Sequence, residues 1–182
     1  MRLPTRLMIL ALSLLVSSQG RAQASTIILA RHAEKAAPSG DPGLTLPGQQ
    51  RALDLAQALA KVHLTTVITT QLKRTRLTAE PAAQAADLPP IVIPATGNTN
   101  ADAMAVAHAI DELPSGSVVL VVGHSNTLGP IIAALGGPRI PDLCDAEYST
   151  LLILTRPGGE EKPSLIRSRF GAAEPPEADR CH

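Results

Sequence analysis

Two histidines in this 182-residue chain stand at the ends of apolar, strand-like runs. Arg31-His32 follows Ser25–Ala30 (STIILA), and Gly123-His124 follows Ser117–Val122 (SVVLVV). A neutral imidazole is a competent nucleophile toward phosphorus and a good leaving group once phosphorylated, so it splits one hard displacement into two easier ones. The negative charge on a phosphoryl group must be balanced during transfer, and arginine forks are permanently charged and match its oxygens two at a time. Arg31 and Arg74 are the candidates for that role. His124, protonated, adds positive charge and hydrogen bonds. Backbone N–H groups of a helix expected to open near Ser125 complete the cradle. Taken singly, either arginine reads equally well as a helix cap or an ion-pair partner, and His124 as a core histidine. Together Arg31, His32, Arg74 and His124 describe one phosphoryl-transfer site.

The elements that must position these residues alternate. After the first strand, Pro38–Pro47 is loop, rich in Pro and Gly. Gly48–Val62 carries apolar residues at the helical period. A strand at Thr66–Thr70 precedes a helix at Arg74–Ala86; a short strand at Ile91–Ile93 precedes a helix at Ala101–Leu113. The clearest strand is Ser117–Val122, followed by a short helix at Thr127–Leu135. Two last strands are expected at Leu151–Thr155 and Leu165–Phe170. Strands apolar on both faces, alternating with helices, imply an α/β chain with a mostly parallel sheet covered on both sides. Ligands of such sheets lie beyond the carboxyl ends of the strands, which is where both histidines fall.

Four stretches recur in a fixed order: RHAEK (31–35), an L-T-x-x-G loop (44–48), T-x-L-x-R-x-x-x-T-A (70–79) and GHSNT (123–127). Over nearly all of residues 26–155 this order resembles the histidine phosphatase superfamily, in the branch of phosphoglycerate mutases and bacterial phosphohistidine phosphatases. The resemblance implies a three-layer α/β/α sandwich, with His32 the phosphorylated residue and Arg31, Arg74 and His124 its phosphate pocket. Two departures stand out. Ala33 occupies the place of a usual glycine, a small replacement that fits at negative φ. The acidic insertion after the second arginine is short, leaving Asp102 in it and Glu34 beside the first motif as candidate proton donors. Acyl phosphates and phosphohistidine need less leaving-group protonation than alkoxides do, so a missing acid shifts the substrate class. The resemblance therefore implies a metal-independent phosphatase acting on phosphomonoesters, phosphoproteins or acyl phosphates, with no cofactor. A phosphoglycerate mutase-type phosphotransferase and a non-catalytic anion-binding module are the alternatives.

Composition narrows the partners. The formal net charge is zero and aromatic residues make up 1% of the chain, so neither a basic nor a base-stacking surface for nucleic acid is expected. A small phosphorylated substrate or a phosphoprotein remains. Arg2 and Arg6, the apolar run Leu7–Val16 and Ala22-Gln23-Ala24 have the order of a cleaved export signal. The run is too short for a bilayer span. The expected division is a signal peptide at 1–24, a catalytic domain at 25–172 and a flexible Pro- and Glu-rich tail at 173–182. The product would be periplasmic or secreted, with no stable membrane anchor. Export permits a disulfide between Cys144 and Cys181, the chain's two cysteines. Neither cysteine has neighbours at metal-ligand spacing, and no metal site is expected.

Overall fold

The computed structural model describes residues 25–159 and 161–174. In chain order its elements are β1 (Ser25–Arg31), α1 (Leu46–Ala58), β2 (Thr66–Thr69), α2 (Lys73–Ala85), β3 (Ile91–Val92), α3 (Thr99–Asp111), β4 (Ser117–Gly123), α4 (Leu128–Ala134), β5 (Thr150–Arg156) and β6 (Ser164–Arg169). The strands form one sheet in the order β3-β2-β4-β1-β5-β6. β3, β2, β4 and β1 run parallel, while β5 and β6 are antiparallel additions at one edge.

Alternation along the central strands divides the apolar core in two. Ile27 and Leu29 of β1, with Val119 and Val121 of β4, pack against Val106 and Ile110 of α3 and Ile131 and Ile132 of α4. Ile28 and Ala30, with Leu120 and Val122, face the other way onto Leu55 and Leu59 and onto Ala79, Ala82 and Ala83 of α2. Because both faces are covered, the central strands read as unbroken apolar runs. The result is the three-layer α/β/α sandwich that the motifs imply, with α1 and α2 on one side and α3 and α4 on the other.

Register then places the chemistry. Arg31 lies opposite Gly123 in the β1–β4 pairing, and the His32 N–H donates to Gly123 O at 2.9 Å. The loop after β1 leads to α1 on one face; the turn after β4 leads to α4 on the other. The two histidines thus flank the crevice where the connections diverge, the usual ligand position in such sheets.

Three local differences from the sequence expectation have physical reasons. Helix α1 starts at Leu46, not Gly48, because Pro47 is compatible with a first helical turn and Thr45 caps it, accepting from Gly48 N–H at 3.0 Å. Helix α4 starts at Leu128: residues 124–127 form a tight turn in which Thr127 Oγ1 accepts from His124 N–H at 3.0 Å. Ala173 and Glu174, assigned above to a flexible tail, are ordered, since the Glu174 carboxylate accepts from Tyr148 N–H at 2.6 Å and from the N–H and hydroxyl of Ser149. Residues 1–24 and 175–182, including the export-signal pattern and Cys181, lie outside the described residues. No helix among the described residues is long and apolar enough to cross a membrane.

The L-T-x-x-G loop is a docking device. Thr45 N–H donates to Glu34 O at 2.9 Å, and a Cβ on Gly48 would stand 2.4 Å from the same oxygen. Helix α1 therefore seats its first turn on the backbone just after His32, a contact that a side chain would block. Gly48→Ala should cost about 1–3 kcal/mol through overpacking. Gly43→Ala, whose added methyl would meet only the Leu77 side chain at an ordinary 3.6 Å, should change stability far less. Urea denaturation of both variants checks this; equal losses would mean that the Gly48 contact carries no weight.

Candidate active site

His32 and His124 meet edge to face, with ring centroids 5.4 Å apart and planes inclined by 64°. Both rings are buried. His32 Nδ1 lies 2.8 Å from Ala33 O, a partner that can only accept, so Nδ1 carries the proton and Nε2 keeps its lone pair. The backbone that presents this ring is pinned on both sides: Ala33 N–H donates to Thr78 Oγ1 at 2.9 Å, and the Thr78 hydroxyl donates to Arg74 O at 2.7 Å. The T-A at the end of the third motif thus ties the nucleophile loop to the first turns of α2. Ala33 is fully buried, its methyl packed with Leu44 and Ala52, which accounts for a small residue in the glycine's place.

His124 is oriented by hydroxyls. Thr75 Oγ1 donates to Leu72 O at 2.9 Å and lies 2.8 Å from Thr70 Oγ1, which in turn lies 3.3 Å from His124 Nε2. With one proton per hydroxyl, Thr70 donates to Thr75, and His124 Nε2–H donates to Thr70. These threonines were not singled out from sequence, although Thr70 and Thr75 both fall inside the third motif.

Arg31 is 4% exposed and its guanidinium is gripped by one loop. Nη1 donates to the carbonyls of Cys144, Asp145 and Glu147 at 2.6, 2.9 and 3.2 Å. The Tyr148 ring stacks on it, 4.2 Å from Cζ, and lies 6.3 Å from the His32 ring. The loop is itself held by Glu147, whose carboxylate takes hydrogen bonds from Thr150 and Arg167. After all this, Arg31 Nε–H has no partner among the described residues, and neither has Arg74 Nε–H, although both atoms are buried. Buried donors are nearly always satisfied in folded proteins. Two such donors beside a histidine with a free lone pair are groups that an anion can satisfy; Arg156 Nε–H, at the opposite end of β1, is left over in the same way.

The electrostatics follow from burial. His32 is pulled down to about 3, first by desolvation and then by the positive charge of Arg31 and Arg74. His124 is pulled down to about 4 by desolvation and the same arginines, against the attraction of Asp102. At neutral pH, in the protein's own field, both imidazoles are neutral. The protonated His124 expected from sequence is a state with a phosphoryl group bound; without that added negative charge the balance favours the neutral ring. Arg31 is lowered too by desolvation, with Tyr148, Asp145 and Glu147 opposing.

The two carboxylates considered as proton donors do other work. Glu34 Oε1 receives Arg51 at 2.9 Å from Nε and 2.8 Å from Nη2. Arg51 also donates to Ala172 O at 3.0 Å, so the pair joins the loop after β1, α1 and the segment that follows β6. Asp102 closes the loop before α3. Burial would raise its carboxyl, but hydrogen bonds from Thr96 Oγ1 at 2.6 Å and from the Thr96 and Gly97 N–H groups outweigh that and hold it low. A carboxylate held ionised by donors is a poor acid. Ser125 remains in the turn beside His124, before rather than within a helix, and its N–H makes no hydrogen bond among the described residues. Cys144 is buried in the Arg31 loop; its suggested partner, Cys181, lies outside the described residues.

Residues 27–104, which carry the first three motifs, match the model of the histidine phosphatase superfamily (branch 1). Among curated proteins none matches the chain in sequence. Solved structures share the fold. A mycobacterial glucosyl-3-phosphoglycerate phosphatase superposes with a TM-score of 0.60 at 16% identity, covering 83% of this chain and 100% of its own. A putative phosphohistidine phosphatase from Nakamurella multipartitia gives 0.58 at 21% identity, covering 84% and 99%. One from Agrobacterium tumefaciens gives 0.59 at 21%, covering 81% and 98%.

The lowered histidines make stability depend on pH. Unfolded, each takes up a proton near its ordinary 6.5; folded, His32 does so only near 3 and His124 near 4. Between those limits the unfolded state binds more protons, so stability falls as pH drops from about 6.5 toward 4. His32→Asn should flatten that slope in thermal melts run across pH 4–7. An unchanged slope would show that His32 is not held neutral.

Proposed function

We propose that this chain, recognised as histidine phosphatase superfamily (branch 1) by its family match and its fold, is a phosphatase that works through a phosphohistidine on His32. The observation that carries this reading is the pair of guanidinium donors without a partner among the described residues, Arg31 Nε–H and Arg74 Nε–H, beside a histidine whose Nδ1–H is committed to Ala33 O. A phosphoryl group supplies what those donors lack. His32 Nε2 attacks phosphorus, forming the N–P bond as the P–O bond to the leaving group breaks. Water then attacks the phosphohistidine, the N–P bond breaks, and inorganic phosphate leaves. No proton has to be removed from the nucleophile first, because the ring is already neutral. Arg31 and Arg74 balance the charge in both transition states. His124 gains affinity for a proton once a phosphoryl dianion enters, and then adds a hydrogen bond to it.

Asp102 is held ionised by its donors, and Glu34 is ion-paired to Arg51 through Oε1, its buried Oε2 having no partner among the described residues, so neither carboxyl is set up by a hydrogen bond as a proton donor to a leaving oxygen. That favours phosphomonoesters of acidic alcohols, acyl phosphates or phosphohistidine in proteins over alkyl esters. The two solved phosphohistidine phosphatases named above are in keeping with that substrate range. Charge compensation by arginine makes a metal ion unnecessary to the scheme.

Export is part of the same proposal. The described part of β1 runs from Ser25, which pairs with Ser117 and Arg156, so cleavage after Ala24 would keep every described residue of that strand. Mass spectrometry of protein from the native host's soluble fraction should find Ser25 at the N-terminus; retention of residues 1–24 would refute the processing.

Hydrolysis of an aryl phosphate by the purified protein, with EDTA present, separates phosphatase from anion-binding module. Turnover should be unaffected by the chelator. His32→Ala should abolish it, and Arg31→Ala or Arg74→Ala should each lose about 3–4 kcal/mol of transition-state stabilisation, roughly 10²–10³ in kcat/KM. Phosphate binding without turnover in the wild type would support the binding module instead.

A further inference from the structure

Arg31, the residue on which the proposed site depends, is placed by carbonyls and a ring that all belong to residues 144–148, a loop with no regular structure between α4 and β5. A loop does not hold three carbonyls toward one guanidinium unaided. Glu147 N–H and Cys144 N–H are satisfied within the loop, by Cys144 O and the Glu147 carboxylate, but the N–H groups at its end are satisfied elsewhere. The N–H groups of Tyr148 and Ser149 and the Ser149 hydroxyl all point to the carboxylate of Glu174. That carboxylate is 5% exposed and also faces Arg169 at 3.7 Å. Burial works against its charge, and the bonds from Ser149 and Tyr148 more than offset this.

Glu174 does not arrive there by chance of an extended end. Five residues after β6 it is preceded by a segment fixed at two carbonyls, Phe170 O and Ala172 O, both accepting from Arg51 Nη1. Arg51 is the partner of Glu34 in the RHAEK motif. A continuous set of contacts therefore leaves the nucleophile loop through Glu34 and Arg51, runs along residues 170–174, and returns to the phosphate pocket through Ser149, Tyr148 and Arg31.

From this we infer that Glu174 is a positioning residue for Arg31: the segment 170–174 is a strap whose carboxylate fixes the Tyr148–Ser149 corner and so aims the guanidinium at the phosphoryl group. The inference rests on the phosphatase reading for its kinetic consequence, though not for its structural one. Glu174 touches no reacting atom. Its removal leaves the Tyr148 and Ser149 N–H groups without an acceptor, frees the corner, and lets Tyr148 leave the guanidinium. Misplacement of a binding group by an ångström is enough to cost a large factor in rate.

The sequence offers a clean reporter, since Tyr148 is the chain's one tyrosine and there is no tryptophan. In the full chain, Glu174→Ala should raise acrylamide quenching of Tyr148 emission, weaken vanadate binding and lower kcat/KM on an aryl phosphate on the order of tenfold. Glu174→Gln, which keeps an acceptor oxygen, should recover part of each loss. In an Arg31→Ala background Glu174→Ala should cost nothing further in kcat/KM, because the residue it acts through is gone. The same factor lost in both backgrounds would overturn the positioning role and leave a general structural one. Unchanged Tyr148 quenching in Glu174→Ala would overturn it whether or not the protein turns over substrate. A wild type that lacks turnover while the quenching responds as expected would instead count against the phosphatase reading alone.

Discussion

A buried guanidinium without a close carboxylate is the constraint on which this structure turns. Arg31 is 4% exposed, and its one carboxylate contact among the described residues is the fully exposed Asp145 at 3.7 Å. Removing a cation from water costs several kcal/mol unless dipoles or charges replace the hydration. Three carbonyls and the face of Tyr148 supply part of that replacement. They leave Nε–H without an acceptor among the described residues. An arginine paired to a carboxylate would be more comfortable and would bind phosphate less well. The partial solvation of Arg31 is what, in the proposed site, leaves it a donor for a phosphoryl group.

The same field sets the chemistry of its neighbours. Two arginines and burial hold His32 and His124 neutral, and a neutral imidazole is the form that attacks phosphorus. The hydrogen bond from Nδ1–H to Ala33 O, which by itself favours the protonated ring and is outweighed by burial and the arginines, chooses which nitrogen does so. Stability is given up at mildly acidic pH to keep those rings unprotonated, a common relation between strained charge and function at such sites. The scaffold meets this cost with a sheet covered on both faces and two separate apolar clusters.

Much of this was legible in the sequence, for reasons that differ from residue to residue. Strands β1 and β4 are buried on both faces, so their apolar runs were unmistakable, and the residues after them had to sit at the carboxyl edge. That placed Arg31, His32 and His124. Arg74 followed from its place at a strand-to-helix junction. What was not legible depends on side-chain partners far apart in the chain. Glu34 lies beside the nucleophile in sequence but is taken by Arg51, 17 positions away. Asp102 falls in the expected insertion but closes a loop. Tyr148 stands just before β5, and its rarity in a chain with one tyrosine is the signal that marks it. Glu174 sat in a stretch whose composition suggested disorder, and only a partner 25 residues back gives it a place.

The central claim is that phosphoryl transfer passes through Nε2 of His32. It is tested most directly by acid-free rapid quench during turnover of a ³²P-labelled substrate, followed by mapping of the labelled peptide and ³¹P NMR of the quenched protein. The account predicts a single label on His32, stable in alkali and lost in acid, with the chemical shift of the Nε2-phosphorylated isomer. Label on Nδ1, on His124 or on a hydroxyl or carboxylate side chain, or turnover with no labelled intermediate under conditions that trap one in a known phosphohistidine enzyme, would contradict it.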